Sequence, residues 1–331
     1  MTPLTTDVAG HPALVVGGDI AAAGQVAALL EAGAVVTVVA THVTASIKDL
    51  IDRGLVTWLA REVDVTDIQT AAIVLTGRAP GPTPTHHTTG SVTLVGGGPG
   101  DPGLVTVAGR AAIESADVIV TDRLAPLAAL RWARPDAEII DVAKIPGGRS
   151  TSQEQINRLL VEHAQAGRQV VRFKGGDNFV FGRGGEELIA CHQAGIATTL
   201  VPGVSSAIAA PALAGIPVTH RGLVQGFTVI SGHLPPEHPD STIDYSALAQ
   251  SGTTIIVLMG VRTLGPVCQA LIAGGLAPTT AAAVIADGAM PSQHVARGTL
   301  ATIDAIATAA GIGAPAVTVI GAVADVPGLI G

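Results

Sequence analysis

The residues Val92-Thr-Leu-Val-Gly-Gly-Gly-Pro-Gly-Asp-Pro-Gly-Leu-Val-Thr106 combine a short apolar strand, a glycine-rich turn and a helix expected to begin near Gly103. Glycines let a backbone pass close to a ligand, and a helix start presents free N–H groups. Pro99 and Pro102 stiffen the turn and remove N–H donors that a phosphate would need. The stretch therefore predicts α/β structure and leaves open whether the turn binds a nucleotide or only joins two elements.

A second glycine-rich stretch, Arg172-Phe-Lys-Gly-Gly-Asp-Asn-Phe-Val-Phe-Gly-Arg-Gly-Gly-Glu-Glu187, comes directly after an apolar strand. Open α/β sheets bind ligands at the loops that follow the carboxyl ends of their parallel strands. Glycines and charges are too concentrated here for a plain connection. The stretch therefore predicts a binding loop.

Alternating strands and helices continue along the chain. Strand-like runs lie at Ala13–Val16, Ala34–Ala40, Ala71–Leu75, Val92–Val95, Val118–Thr121, Glu138–Val142, Gln169–Phe173, Thr198–Val201, Phe227–Ile230, Thr254–Met259, Ala282–Ile285 and Ala316–Ile320. Helical composition spans Ile20–Glu31, and Thr151-Ser-Gln-Glu154 predicts a capping box at another helix start. Over the first 77 residues this alternation forms a small βαβ unit, which predicts a parallel sheet.

A proline-rich linker divides the chain. Residues 78–90 contain three prolines and no large apolar side chain, so they cannot bury a core. We expect a small Rossmann-like βαβ domain over residues 1–77 and a larger domain over residues 91–331. The Pro202-Gly203 break predicts two α/β subdomains in the larger domain, about 91–201 and 202–331, with a cleft between them.

Composition excludes several classes of protein. The formal charge of −8 argues against binding to a nucleic-acid backbone, and two Trp, one Tyr and four Phe are too few for base-stacking platforms. Although 48% of residues are hydrophobic, no apolar run reaches the roughly 18 residues of a spanning helix. Neither cysteine, Cys191 or Cys268, has metal-ligand spacing, so no metal site is expected. Because the amino terminus lacks the charge pattern of a secretory signal, we expect a cytoplasmic protein.

Basic residues are nevertheless concentrated in one region. Of the 18 Lys and Arg residues, 11 lie between Arg123 and Arg221. This concentration allows an anionic ligand or simply a solvated surface.

The two glycine-rich stretches resemble the signatures of the tetrapyrrole methylase family, and the longer match is to its uroporphyrinogen-III branch. Three further segments agree: Val120-Thr-Asp-Arg-Leu-Ala125, Val201-Pro-Gly-Val-Ser-Ser-Ala207 and Ala214-Gly-Ile-Pro-Val-Thr-His-Arg-Gly222. The resemblance covers residue 91 to about residue 330 in the family's order. It implies the two-subdomain methylase fold, S-adenosylmethionine as methyl donor, S-adenosylhomocysteine as product, and a homodimer.

The resemblance also implies roles for individual residues. The positions that match the family's S-adenosylmethionine pocket are Pro99, Gly175, Gly176, Asp177, Val180, Ser205, Ser206, Met259 and Gly288. Asp122 and Lys144 match the family's proposed proton acceptor and donor. Two positions depart from the pattern, because Asn178 replaces a common proline and Ser206 replaces a more usual alanine.

The implied substrate is an electron-rich tetrapyrrole with eight carboxylates. A pyrrole carbon would take the methyl group, and a carboxylate such as Asp122 could then accept the ring proton. Arginines bind carboxylates with two parallel hydrogen bonds. Four arginines are therefore candidates for binding the substrate: Arg123, Arg149, Arg183 and Arg221.

Residues 13–76 resemble the first part of the siroheme-synthase dehydrogenase module, as in Leu14-Val-Val-Gly-Gly-Asp-Ile-Ala-Ala22. Aligned without gaps, Asp19 stands where the dinucleotide fingerprint needs a glycine, and its charge would repel a pyrophosphate. A one-residue gap would instead retain the Asp but lose a glycine outright. No acidic residue follows the second strand to hold a ribose. These departures argue against NAD binding and predict a reduced, inactive module.

The expected function is methylation of uroporphyrinogen III at two ring carbons, giving precorrin-2 for siroheme or cobalamin synthesis. Three alternatives remain open at this point. They are methylation of a later corrin intermediate, a bifunctional enzyme with NAD-dependent precorrin-2 dehydrogenase activity, and an S-adenosylmethionine sensor without catalysis. The presence of both Asp122 and Lys144 opposes the last of these.

Overall fold

A computed structural model describes residues 8–71, 73–76, 90–143 and 151–326. One compact unit runs to Val204, and a second begins at Ser205. The linker predicted at residues 78–90 lies outside the described residues, except for Gly90.

The amino-terminal module is a four-stranded parallel sheet in the order β3-β2-β1-β4. Its elements are β1 (Pro12–Val16), α1 (Ile20–Glu31), β2 (Val35–Val39), α2 (Ala45–Asp52), β3 (Thr57–Leu59), α3 (Val65–Thr70) and β4 (Ile73–Thr76). The predicted helix Ile20–Glu31 and the parallel sheet are confirmed. Asp19 caps the helix by accepting a hydrogen bond from the Ala22 N–H at 2.8 Å, which satisfies a donor that a helix start leaves free.

The second sheet is also parallel, in the order β7-β6-β8-β5-β9. Its elements are β5 (Ser91–Gly96), α4 (Val107–Ser115), β6 (Val118–Thr121), β7 (Glu138–Asp141), α5 (Gln153–Gln165), β8 (Gln169–Lys174), α6 (Gly184–Gln193) and β9 (Ala197–Val201). Two 3₁₀ helices, Pro102–Leu104 and Leu127–Trp132, lie between these elements. Strand β8 is central, so its side chains are covered on both faces of the sheet.

Two local predictions differ from the structure. The glycine-rich turn leads first into the 3₁₀ helix at Pro102–Leu104, because Pro102 and the Asp101 cap favour a short turn, and the α-helix starts only at Val107. The capping box lies one residue later than predicted. Ser152 accepts a hydrogen bond from the Gln155 N–H at 3.2 Å, and Gln155 accepts one from the Ser152 N–H at 2.9 Å.

The second unit contains a mixed five-stranded sheet in the order β10-β11-β14-β12-β13. Its elements are α7 (Ser206–Leu213), β10 (Phe227–Ser231), α8 (Tyr245–Ala249), β11 (Thr254–Leu258), α9 (Leu264–Ala273), β12 (Ala281–Ala286), β13 (His294–Thr299), α10 (Ile303–Ala309) and β14 (Ala316–Ile320), with 3₁₀ helices at Val261–Thr263 and Ala322–Asp325. Only β10 and β11 pair in parallel. Strand β13 was not predicted, because its sequence His-Val-Ala-Arg-Gly-Thr has neither an apolar run nor a clear alternation.

A shared hydrophobic core joins the amino-terminal module to the second sheet within the first unit. Helix α1 packs on the 3₁₀ helix Leu127–Trp132, and a Cβ added at Gly24 would lie 3.2 Å from the Leu127 carbonyl oxygen. In the part of the chain that the structure describes, no helix has the length and apolarity to cross a membrane. The same residues include no group of three or more His, Cys, Asp or Glu side chains placed to hold a metal ion.

Candidate active site

Three glycines let the loops after β5, β6, β8 and β9 touch through their backbones. A Cβ at Gly203 would lie 2.2 Å from the Gly176 carbonyl oxygen, and one at Gly96 would lie 2.5 Å from the Gly203 nitrogen. A Cβ at Gly175 would lie 2.2 Å from the Leu124 carbonyl oxygen. We call this contact of loops the glycine crossing. It stands at the carboxyl ends of parallel strands, where α/β sheets bind ligands.

The turn after β5 is built unlike a phosphate cradle. Gly97 donates its N–H to the Lys174 carbonyl at 2.7 Å, and Gly98 donates its N–H to the Gly176 carbonyl at 3.1 Å. Pro99 has no N–H to offer. Because these donors are already used or missing, the turn suits a ligand without phosphate groups, such as S-adenosylmethionine. The nucleotide-cradle interpretation left open by the sequence is therefore disfavoured.

Asp177 and Asn178 fasten the β8 loop to neighbouring backbone. Asp177 accepts hydrogen bonds from the N–H groups of Phe179 (2.8 Å), Val180 (3.2 Å) and Gly203 (3.3 Å). Asn178 is fully buried and donates from Nδ2 to the Val201 carbonyl at 2.9 Å. The asparagine that replaces a common proline thus ties β8 to β9. Its Oδ1 is buried without a hydrogen-bond partner in the structure, so a polar atom remains at the base of this loop.

A buried network of charges lies beneath Asp122. Arg172 donates to Oδ2 of Asp122 and to Oε1 of Glu187, both at 2.9 Å. Lys174 donates to Oε2 of Glu187 at 2.8 Å and to the Gly182 carbonyl. Arg172, Lys174 and Glu187 are almost fully buried, whereas the Asp122 side chain keeps 25% of its surface exposed. The network therefore holds one accessible carboxylate in a fixed orientation.

The environment shifts the pKa values of the two cations in opposite directions. Burial disfavours the charge of Arg172, but Asp122 and Glu187 outweigh that effect and raise its pKa. Burial, followed by the nearby charge of Arg172, lowers the pKa of Lys174 below its ordinary value. The guanidinium is thus the permanent charge that anchors Asp122.

This network was not predicted from the sequence. The predicted strand Gln169–Phe173 already included Arg172, and β8 runs one residue further, to Lys174, but the pairing of these cations with Glu187 of α6 was not expected. The sequence did contain a pattern that could have indicated a buried ion-pair network. Arg172 and Lys174 lie two residues apart in a mostly apolar strand, and Glu186 and Glu187 follow them. Charges placed on a central strand must be paired.

The second unit contains the other residues expected to contact S-adenosylmethionine. Ser205 caps α7 by accepting a hydrogen bond from the Ala207 N–H at 3.3 Å, and Ser206 begins that helix. Met259 follows β11 with φ of 56° and is 51% exposed. Gly288 lies against Ala210, where a Cβ would come within 2.4 Å of the alanine Cβ.

Backbone strain marks the loops that carry these residues. Asp287 and Ala289, on either side of Gly288, have φ of 52° and 69°, and Phe181 and Arg183 after the β8 loop have 57° and 58°. Non-glycine residues rarely adopt positive φ, and such residues cluster at binding sites. The strain therefore supports a ligand-binding role for both loops.

The candidate substrate arginines differ in their surroundings. Arg123 pairs with Asp49 at 3.2 Å, and Arg183 pairs with Glu186 at 2.6 Å. Arg221 is exposed, in the segment between α7 and β10. Lys144 and Arg149 lie outside the described residues. Elsewhere in the basic region, Arg134 and Arg168 pair with Asp117 and Glu138, so part of this cluster serves the fold.

The altered dinucleotide fingerprint has a structural consequence. Because Asp19 caps α1, its carboxylate occupies the helix start that would otherwise receive a pyrophosphate. A Cβ at Gly18 would lie 1.9 Å from the His42 carbonyl oxygen, so this glycine serves close backbone packing.

Replacing Gly203 with alanine is expected to open the glycine crossing. The new Cβ would clash with backbone atoms, which cannot move as a side-chain end can, so we expect a loss of about 1–3 kcal/mol in the free energy of unfolding and weaker binding of S-adenosylmethionine. Gly185→Ala is the matched control, because no atom lies within 4 Å of its Cβ position. Urea unfolding and calorimetric titration measure both effects, and equal behaviour of the two variants would contradict the role of the crossing.

Comparison with known proteins places these features in context. A family model of Tetrapyrrole (Corrin/Porphyrin) Methylases matches residues 91–304, and a model of NAD(P)-binding domains matches residues 4–78. The S-adenosyl-L-methionine-dependent uroporphyrinogen III methyltransferase of Methanosarcina barkeri is 46% identical over 242 residues, which are 73% of this chain and 95% of that protein.

Two further relatives extend the comparison. Siroheme synthase 1 of Yersinia enterocolitica is 47% identical over 236 residues, which are 71% of this chain but 49% of that protein, so the match spans about half its length. The crystal structure of uroporphyrin-III C-methyl transferase from Thermus thermophilus, complexed with S-adenyl homocysteine, superposes with a TM-score of 0.60 at 35% identity. That superposition covers 72% of this chain and 100% of the other.

Proposed function

Because this chain belongs to the tetrapyrrole methylase family, we propose that it methylates uroporphyrinogen III at two ring carbons to give precorrin-2. The enzyme is an S-adenosylmethionine-dependent methyltransferase. The observation that carries this proposal is 46% identity over 95% of a protein named for that reaction. The glycine crossing and the accessible, anchored Asp122 supply the matching chemistry.

The residues present fit S-adenosylmethionine. The glycine crossing keeps side chains away from the sheet edge, and the N–H groups of Gly98, Gly176 and Gly203 are bonded internally, so a ligand rich in phosphate would gain little there. When bound, S-adenosylmethionine supplies a sulfonium-activated methyl group that a nucleophilic ring carbon accepts. From the family resemblance, we propose that S-adenosylmethionine is bound by Pro99, Gly175, Gly176, Asp177, Val180, Ser205, Ser206, Met259 and Gly288.

Asp122 is proposed to accept the proton that the macrocycle loses after a ring carbon has taken the methyl group. Its Oδ1 accepts the Leu124 N–H at 3.1 Å and its Oδ2 accepts from Arg172, so the carboxylate is oriented before substrate binds. A pre-oriented base avoids reorganisation during the reaction. Lys144 is proposed as the proton donor, on family resemblance alone.

Substrate carboxylates require cationic partners. We propose Arg123, Arg149, Arg183 and Arg221 for this role, and the exposure of Arg221 supports its place in the set. Arg183 would have to exchange Glu186 for a substrate carboxylate, whereas Arg123 contacts Asp49 through Nη1 and can bind a substrate carboxylate with its other N–H groups. We also propose, from family resemblance, a cytoplasmic homodimer whose product feeds siroheme or cobalamin synthesis.

The direct test is anaerobic incubation of the protein with S-adenosylmethionine and freshly reduced uroporphyrinogen III, without NAD. A mass gain of two methyl groups is the expected result. If the protein binds S-adenosylmethionine but leaves this tetrapyrrole unmethylated, the proposed substrate is wrong and a later corrin intermediate becomes the candidate.

We expect NAD to leave the protein unaffected. The Asp19 carboxylate occupies and charges the helix start that would bind the pyrophosphate, so NAD should neither raise the melting temperature nor give heat on titration. S-adenosylmethionine, the positive control, should do both. Saturable NAD binding, with oxidation of precorrin-2, would instead establish the bifunctional alternative.

A further inference from the structure

Helix α2 of the amino-terminal module contacts the methylase sheet on both sides of Asp122. Asp49 pairs with Arg123, the residue directly after Asp122, at 3.2 Å. Ser46 donates its hydroxyl to Oδ2 of Asp141 at 2.7 Å. These contacts lie within the first compact unit, and the two residues of α2 are three positions apart, so one face of the helix makes both.

The Ser46 contact reaches Asp122 through paired strands. Asp141 is the register partner of Thr121, the residue before Asp122, in the parallel pair β6–β7. The next residue, Val142, donates its N–H to the Thr121 carbonyl at 2.8 Å. Asp141 also accepts the Ala143 N–H at 2.8 Å. A carboxylate held by Ser46 thus fixes the turn that supports the end of β6.

We infer that helix α2 is a positioning element for the methyltransferase, with Ser46 and Asp49 as positioning residues that hold the segment carrying Asp122. Arg172 fixes the Asp122 carboxylate from inside the sheet, while α2 fixes its backbone from the outside. This inference rests on the proposed function of Asp122. It gives the module a role that requires no dinucleotide.

The Ser46–Asp141 and Asp49–Arg123 contacts should differ in how strongly they hold the segment. Ser46 is only 2% exposed, its hydrogen bond to Asp141 is partly buried, and hydrogen bonds to a carboxylate are among the stronger kinds. The Arg123 and Asp49 side chains keep 36% and 25% of their surface exposed, and such partly exposed pairs contribute little individually. The loss of Ser46 should therefore have the larger effect, and the loss of Asp49 should add to it.

The test compares the full-length variants Ser46→Ala, Asp49→Asn and their combination with Asp52→Asn. Asp52 lies on the same helix but pairs with Lys48 at 2.5 Å on the exposed surface, so its replacement is the matched control. We expect kcat to fall about ten-fold in the double variant, because a small displacement of a catalytic group is costly. The KM for S-adenosylmethionine should be unchanged, and Ser46→Thr, which keeps a hydroxyl, should restore kcat.

A second measurement does not depend on turnover. Hydrogen exchange should accelerate at the amides of Leu124 and Ala143, which donate to Asp122 and Asp141, in the double variant but not in Asp52→Asn. Equal kcat and equal exchange in the double variant and the control would overturn the inference. A lowered melting temperature with faster exchange throughout the unit would overturn it as well, since that pattern means general destabilisation. If the wild type does not methylate the tetrapyrrole, the proposed function fails, and the exchange data still decide whether α2 holds this segment.

Discussion

Asp122→Asn should lower kcat by about 10²- to 10⁴-fold, the usual contribution of a positioned general base. Asparagine keeps the size of the side chain and can still accept the Leu124 N–H, but it cannot take a proton from the substrate. The affinity for S-adenosylmethionine should change little, because the glycine crossing is untouched.

Steady-state methylation assays and calorimetric titration test this prediction together. Circular dichroism serves as the control for folding, since the amide also weakens the contact with Arg172. Unchanged turnover in a folded variant would remove Asp122 from the catalytic residues and leave it a structural partner of Arg172.

Glu187→Ala should lower the free energy of unfolding by about 3–5 kcal/mol, the typical cost of leaving buried charge unpaired. The glutamate is fully buried between Arg172 and Lys174, at 2.9 and 2.8 Å. Its loss would also lower the pKa of Lys174 further, because Glu187 opposes the effect of burial there.

The adjacent residue provides a matched control. Glu186→Ala removes an exposed carboxylate paired with Arg183, and exposed pairs are worth about 0–1 kcal/mol. Urea unfolding of both variants compares the free energy lost at the buried glutamate with the free energy lost at the exposed one, on the same turn of α6. A loss for Glu187→Ala no larger than that of Glu186→Ala would mean that the buried network contributes little to stability.

Much of the fold could be predicted, because apolar runs, helix caps and glycines indicate the same bounds for many strands and helices. The strands Val118–Thr121 and Ala316–Ile320 and the helix Ile20–Glu31 have the predicted bounds. Strand β13 could not be found in this way, because its pairing with β12 and its place at the sheet edge, rather than its composition, make it a strand.

The candidate site, like the fold, could be predicted only in part from the sequence. Glycine-rich signatures identified the loops of the glycine crossing, since a missing side chain is visible in a sequence. The network beneath Asp122 was not visible, because Asp122 and Arg172 are 50 residues apart and the whole β8 loop separates Arg172 from Glu187. Ser46 and Asp141 are 95 residues apart, and only the packing of α2 brings them together.

The shared core of the amino-terminal module and the second sheet also bears on how such a chain can evolve. A domain that an enzyme's reaction does not require is ordinarily free to be deleted. Here, loss of α1 would expose apolar residues of the methylase, including Leu127, Ala129 and Leu130, that are now excluded from water. Selection against aggregation of the methylase would therefore preserve this module whether or not it binds a dinucleotide, with its buried face constrained more tightly than its nucleotide fingerprint.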